Sequence, residues 1–318
     1  MMLSLRSLCV ALFASMSLVS AADSVSFKEL PENRLEILIG DQTLGILNHG
    51  SKWNKPFLFP LYAKNGKNVL RDIVPTKADQ GSSKQGTDHF HHKGVWVSVD
   101  SVNDERLNFW HEDDRVVCDS VDHEVLENGA GQIVIKNRWL QGQQTLLSEV
   151  TTITIRPDRL LTYQIQLAAK LKDVTIHDTK EGFFAVRVAH TMRQMQGGHI
   201  ENADGQSGEK QAWGKESVWV DYWGDVDEAI CGVTLMDHPS NFRPSRYHVR
   251  AYGLFAISPF GPKKYSNGKQ PEAPATILAD GKPLTLTYGL YVHNGSTSDA
   301  GVVEKYKQFT AGAANAAK

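Results

Sequence analysis

Residues 149–167 constrain the fold more than any other part of this chain. Glu149-Val150-Thr151-Thr152-Ile153-Thr154-Ile155 and Leu160-Leu161-Thr162-Tyr163-Gln164-Ile165-Gln166-Leu167 are two extended runs dominated by threonine and β-branched residues. Such runs form half-buried strands, in which successive side chains point to opposite faces. Between them, Arg156-Pro157-Asp158-Arg159 places proline and aspartate where a tight turn needs them. A hairpin is predicted, and it sets the pattern for the rest.

The same signature recurs along the chain. Residues 34–39 alternate, break at Gly40-Asp41 and return at 43–47, a second hairpin. Residues 132–139, 183–189, 218–222, 230–236, 254–257 and 284–292 read as further strands. A single polar helix is expected over 300–309, with a frayed end at 311–318, and residues 80–86 and 261–269 read as long loops. No fixed-period repeat and no Pro/Ser-rich linker divides the chain. Many short-spaced strands with few helices predict an all-β protein: one large antiparallel β-sandwich domain over residues 23–318.

The first 22 residues read as a cleaved signal peptide. Arg6 supplies the positive start, Leu8 to Val19 the apolar core, and Ser20-Ala21-Ala22 the small residues of a cleavage point. A periplasmic or secreted protein is expected. No other segment is long and apolar enough for a transmembrane helix. Formal charge is −2 with no Lys/Arg run, so nucleic acid is not an expected partner. Past the leader, Cys118 and Cys231 remain, as one disulfide or as two buried thiols.

Polar clusters interrupt the strand pattern. The densest is Asp88-His89-Phe90-His91-His92-Lys93-Gly94-Val95-Trp96. As an extended segment it would turn His89, His91 and Lys93 to one face and Phe90 and His92 to the other. Imidazoles so spaced suit a metal ion or a polar substrate. Asn108-Phe109-Trp110 sets an amide beside flat apolar faces, and Asp178-Thr179-Lys180-Glu181 places carboxylates directly before a strand. Trp219, Asp221 and Trp223 would share a strand face, resembling a carbohydrate-contact surface or, alternatively, a packed core with Asp221 satisfied by a neighbouring backbone group. The second dense cluster joins Asp237-His238-Pro239-Ser240-Asn241-Phe242-Arg243 to Tyr247-His248-Val249-Arg250. Its arginines suit two-point binding of a carboxylate, as on an acidic sugar. Serine-hydrolase, P-loop, dinucleotide and HExxH motifs are absent from the sequence.

Taken in order, these blocks resemble the PmoA-like family of exported bacterial proteins, a domain of unknown function carried under a methane-oxygenase label. The matching stretches also include Glu181-Gly182-Phe183-Phe184-Ala185-Val186-Arg187, Trp213-Gly214-Lys215 and His248-Val249-Arg250-Ala251-Tyr252-Gly253. Phe90, Lys93 and the stretch Tyr288-Gly289-Leu290-Tyr291-Val292-His293 depart from the usual family pattern. A membrane methane monooxygenase needs spans that this sequence lacks. The resemblance instead implies a supersandwich similar to the galactose-mutarotase fold, with histidines and a glutamate doing acid/base work on a sugar.

The leading expectation is an exported enzyme acting on a sugar or sugar derivative, as an epimerase, lyase or hydrolase. His92, Glu181 and His248 would be catalytic, while Lys93, Asn108, Lys180, Asn241, Arg243, Arg250 and Trp219 would bind substrate. Two alternatives stand beside it. One is a non-catalytic carbohydrate-binding protein. The other is a metal-dependent, oxidative enzyme with a divalent ion on His89, His91 and His238.

Overall fold

The computed structural model describes residues 24–81 and 88–316. The expected leader, with Cys9, and most of the 80–86 loop lie outside the described residues. In chain order the strands are β1 (Val25–Leu30), β2 (Arg34–Ile39), β3 (Gln42–Asn48), β4 (Phe57–Leu61), β5 (Val95–Val97) and β6 (Arg115–Val125). There follow β7 (Gly131–Gln141), β8 (Gln144–Ile155), β9 (Leu160–Ala169), β10 (Val174–Ile176), β11 (Phe184–Arg187) and β12 (His199–Asn202). The last are β13 (Trp219–Val226), β14 (Ala229–Asp237), β15 (Arg246–Val249), β16 (Leu254–Ser258), β17 (Ala275–Ile277) and β18 (Leu284–Asn294). Helices are few: α1 (Glu209–Ala212), α2 (Pro262–Tyr265) and α3 (Val302–Ala316).

Two eight-stranded antiparallel sheets carry the fold. The first runs β1-β2-β3-β4-β5-β11-β16-β15, and the second β12-β13-β14-β18-β9-β8-β7-β6. Their facing sides share one apolar core, as the large antiparallel sandwich requires. β8 and β9 pair in register from Leu147–Ala169 to Ile155–Leu161, closing the predicted hairpin, and β2 pairs with β3. Both alternate buried and accessible residues because only one of their faces meets the core.

The β15 end of the first sheet is different. β11, β15 and β16 are buried on both faces. Phe184, Val186, Tyr247, Phe255 and Ile257 enter the shared core. The opposite face carries a small second core of Phe57, Trp96, Trp110, Ala185, Leu254 and Ala256. This is why the segment after Glu181 reads as unbroken apolar sequence instead of an alternating one.

The topology decides one open alternative and corrects one expectation. Cys118 and Cys231 are both free. They sit on β6 and β14 with β18, β9, β8 and β7 between them, far beyond disulfide reach. The C-terminal helix continues through Ala316, past the 300–309 segment expected, carried by an alanine-rich sequence. Its Val302 and Phe309 pack with Leu160, Trp219 and Met236 on the outside of the second sheet. No helix among the described residues is long and apolar enough to cross a membrane.

Candidate functional site

The covered face of the first sheet is where the sequence clusters converge. Trp96 pairs with Ala185, Ala185 with Ala256, and Ala256 with His248, so these four residues form one row across β5, β11, β16 and β15. At about 4.8 Å per strand, the row spans roughly 14 Å. Its small middle residues leave room for the Trp96 and Trp110 rings to pack with them. Gly182 is obligatory for this, since a Cβ there would stand 2.3 Å from that of Ala256 and 3.0 Å from the Trp110 ring.

At the Trp96 end the histidine segment is a turn, not a strand. His89 has φ +49 and Gly94 φ +58, and a Cβ on Gly94 would collide with the Leu58 carbonyl. The curl overturns the expected alternation and brings all three imidazoles together. His89 lies parallel to His92 at 4.8 Å and to Tyr252 at 5.2 Å, while His91 meets His92 edge-on at 4.4 Å. His92 in turn stacks on Trp96.

Electrostatics give each histidine a distinct state. His92 is buried, and its Nδ1 accepts a 3.2 Å hydrogen bond from Arg187 Nη1; burial and the surrounding imidazole and guanidinium groups push its pKa well down. Because guanidinium only donates, the ring is neutral with hydrogen on Nε2. His91 is also buried and held down to about 2 by desolvation, with Lys55 and His111 adding to the effect. His89 alone is accessible, at 41 %, and its Nδ1 lies 2.5 Å from Asp88 Oδ2.

Asp88 is the hub of this end. Burial favours its neutral form, but the His89 hydrogen bond and the Arg187 and Arg71 charges hold it well below the usual carboxylate range. Arg187 donates to both carboxylate oxygens, at 3.0 and 2.8 Å, and Arg71 to Oδ1 at 3.3 Å. Arg71 also donates to the Asp88, His89 and His92 carbonyls, which fixes the turn. An ionised Asp88 makes His89 Nδ1 the donor and leaves Nε2 as the acceptor nitrogen. Tyr252 completes the cluster, with the Arg187 guanidinium 4.8 Å from its ring centre.

At the opposite end of the row stand Glu181 and His248. Glu181 Oε2 lies 3.7 Å from His248 Nδ1, too long for a hydrogen bond, and that buried nitrogen has no partner. Their side chains are 12 % and 5 % exposed. Desolvation lowers the His248 pKa to about 4 against the pull of Glu181. Lys180 donates to Glu181 Oε1 at 2.6 Å, and the Tyr265 hydroxyl donates to the Glu181 carbonyl. Asp100, whose pKa burial raises, adds a further carboxyl near Thr179, Glu181 and His111.

The remaining predicted residues divide. Lys93 is on this face but buried, donating to Glu112 at 2.8 and 2.7 Å beside Lys55. Asn108 accepts from the His111 backbone at 2.9 Å and shapes the loop. Arg250 pairs with Glu209 at 3.2 Å and lies 5.8 Å from the Tyr252 ring centre. Asn241, Arg243 and His238 are elsewhere, lining a cavity of about 410 Å³ with Asp237 and Tyr306. Asn241 bonds Asp237, Arg243 the Ala273 carbonyl, and His238 contacts Ser240 and Phe309. Trp219 is core packing beneath α3.

The expected metal set is corrected accordingly. Among the described residues no group of three or more His, Cys, Asp or Glu side chains is arranged to hold a metal ion. His238 belongs to a different cavity, and His89 and His91 are turned edge to face, 5.7 Å between ring centres. Asp221 is a satisfied core aspartate, but side chains and not the neighbouring backbone satisfy it: Thr234 and Thr297 donate to it, and His293 Nε2 lies 3.0 Å from Oδ1.

Arg71, Arg187, Asp88 and Tyr252 were not singled out as site residues. Arg187 had a signal, a lone charge inside the apolar run Phe183-Phe184-Ala185-Val186-Arg187-Val188-Ala189. Asp88 and Tyr252 each fall within a dense polar stretch. Arg71 carried none.

Comparison with known proteins adds a family. The sequence profile of a family of unknown function, DUF6807, matches residues 34–307. No curated protein matches the chain. Among solved structures it is similar to a galactose 1-epimerase from Lactobacillus acidophilus NCFM, at 9% identity and TM-score 0.38, covering 86% of this chain and 99% of that one. It is also similar to the heparan sulfate lyase HepC from Pedobacter heparinus, at 8% identity and TM-score 0.39. That alignment covers 89% of this chain but only 37% of the lyase.

Proposed function

Since the chain belongs to that family of unknown function, its activity has to be read from the site, and we propose an exported enzyme that transfers protons on an anionic sugar or sugar derivative. The single observation that carries this reading is the Asp88–His89 dyad: an accessible imidazole whose Nδ1 is held by a carboxylate that two buried arginines lock in place. That arrangement fixes the tautomer and leaves Nε2 as the ring atom free to accept a proton, the role of a general base.

Glu181 and His248 face the dyad from the far end of the row and act as the second acid/base pair. The unpartnered Nδ1 of His248 is completed by substrate or by a small approach of Glu181. His92 is a positioning residue in this scheme: it stacks under His89 and accepts from Arg187. Around Tyr252 the Arg187 and Arg250 guanidiniums stand against the carboxylates of Asp88, Glu181 and Glu209, and the partly accessible Arg250 is the group that would meet the acidic function of a substrate. Kinship with the PmoA-like proteins rests on the sequence blocks quoted above, and export on the Leu8–Val19 run.

The test is incubation of the mature protein in D₂O with a panel of uronic acids, their oligosaccharides and neutral sugars, followed by proton NMR. Deuterium uptake at a sugar carbon or new product resonances are expected with an acidic member. The same signals should vanish in His89→Gln and Glu181→Gln. Saturable binding without any exchange or product would leave a carbohydrate-binding protein and overturn the catalytic assignment.

A further inference from the structure

The β8–β9 turn ends on Arg159, which has a left-handed backbone, φ +65. Glycine or asparagine is the usual occupant of that conformation, so an arginine there is kept at some backbone cost. Its side chain is unusual as well. Arg159 is only 5 % exposed, and it donates from one Nη to Gln42 Oε1 at 2.8 Å while the other Nη has no partner.

Other buried arginines are charge-paired: Arg71 and Arg187 with Asp88, Arg246 with Glu216. Among the described residues no carboxylate lies within ion-pairing distance of Arg159, and burial alone lowers its pKa. A buried cation without a counter-charge is strongly unfavourable and calls for an anion. Space for one adjoins it. Arg159, Gln42 and Lys64 line two neighbouring cavities of about 600 and 510 Å³. Lys64 is exposed and forms no ion pair among the described residues. The larger cavity has one carboxylate, Glu36, and this accepts from the Thr43 hydroxyl at 2.7 Å. The smaller one is balanced by Asp41, Asp158 and Asp299, of which Asp158 already binds Arg156 and Lys305.

We propose that the larger cavity, at the end of the sandwich formed by the β2–β3 and β8–β9 turns and the Lys64 turn, is a binding site for an oxyanion group (carboxylate, phosphate or sulfate), held by Arg159 and Lys64. It shares no residue with the β5–β11–β16–β15 face, so it stands or falls apart from the proposed activity.

The experiment is thermal unfolding of the mature protein at constant ionic strength, with chloride replaced stepwise by inorganic phosphate, sulfate or acetate. A saturable rise of about 3 °C in Tm is expected with at least one of them. Which anion acts identifies the group recognised. Arg159→Asn should abolish the rise and melt, in chloride, at or above the wild-type temperature, because the unpaired cation and the backbone cost both disappear. Lys64→Ala should weaken the response several-fold with the chloride baseline unchanged. Equal stabilisation of wild type and Arg159→Asn would mean general salting effects and overturn the site, as would no rise with any of the three.

Discussion

Two carboxylate–imidazole pairs, one in each sheet, are built in opposite ways. Asp221 on β13 and His293 on β18 are closed off from solvent, with Nε2 3.0 Å from Oδ1. The hydroxyls of Thr234 and Thr297 donate to the same carboxylate at 2.9 and 2.8 Å. Burial alone would depress the His293 pKa, yet Asp221 raises it. Glu181 and His248 sit 3.7 Å apart, with an unpartnered imidazole nitrogen, and there burial wins and holds the pKa at about 4. The first pair is saturated and serves the fold. The second is unfinished, and the proposed function assigns its open imidazole nitrogen to the substrate.

The contrast breaks most sharply on stability. Asp221→Ala should cost about 3–5 kcal/mol in urea unfolding, because it strands a buried imidazole and two hydroxyls. Glu181→Gln should cost less than about 1 kcal/mol, since its partner is already unsatisfied. Turnover should respond the other way. Once a substrate is found, His89→Gln and Glu181→Gln should each lower kcat by about 10²–10⁴, the range of general acid/base catalysis. Equal loss of activity from Asp221→Asn in folded protein would erase the distinction between the pairs.

How much of this was legible in the sequence follows from the same physics. β2, β8 and β9 declared themselves because each has one wet and one dry face, so their side chains alternate. β6 did not, because an edge strand whose outward residues are Asp119, Asp122 and Glu124 reads as loop. β15 is four residues, all buried, and lacks any period. At the site, Glu181, His92 and His248 stood out as polar residues beside apolar runs. The Asp88–His89 dyad was hidden behind an assumed strand: left-handed φ at His89 and Gly94 curls the segment, and local alternation cannot anticipate that. Arg187 meets Asp88 because β5 pairs with β11, and Arg71 because the chain at Leu70 bridges to Val188, both long-range events that spacing does not encode.

A smaller effect separates the pairs by pH. His248 has a depressed folded pKa, about 4, so below the unfolded value near 6.5 the unfolded chain binds a proton that the native state refuses. Stability therefore falls with acidification by up to about 1.4 kcal/mol per unit from this group until pH 4. His91 and His92, also depressed, steepen the same limb. His293 has the opposite sign: its contribution is full below 6.5 and is lost as pH rises through its elevated folded pKa. Urea midpoints from pH 4.5 to 8.5 should show His248→Gln flattening the acid limb and His293→Gln the alkaline one. Both variants flattening the same limb would contradict the assignment.

The smallest expected effect concerns residues that the sequence grouped with His248 and the fold separates from it. Arg243 donates to the Ala273 carbonyl and lies 4.5 Å from the Phe242 ring centre, in the cavity shared with Asp237 and His238. Arg243→Ala should change kcat/KM by less than about twofold, whereas Arg187→Lys should weaken turnover strongly, because a point charge cannot grip both Asp88 oxygens as the guanidinium does. A large loss in Arg243→Ala would move the active centre to the Asp237–His238 cavity and leave the Asp88–His89 face a structural cap.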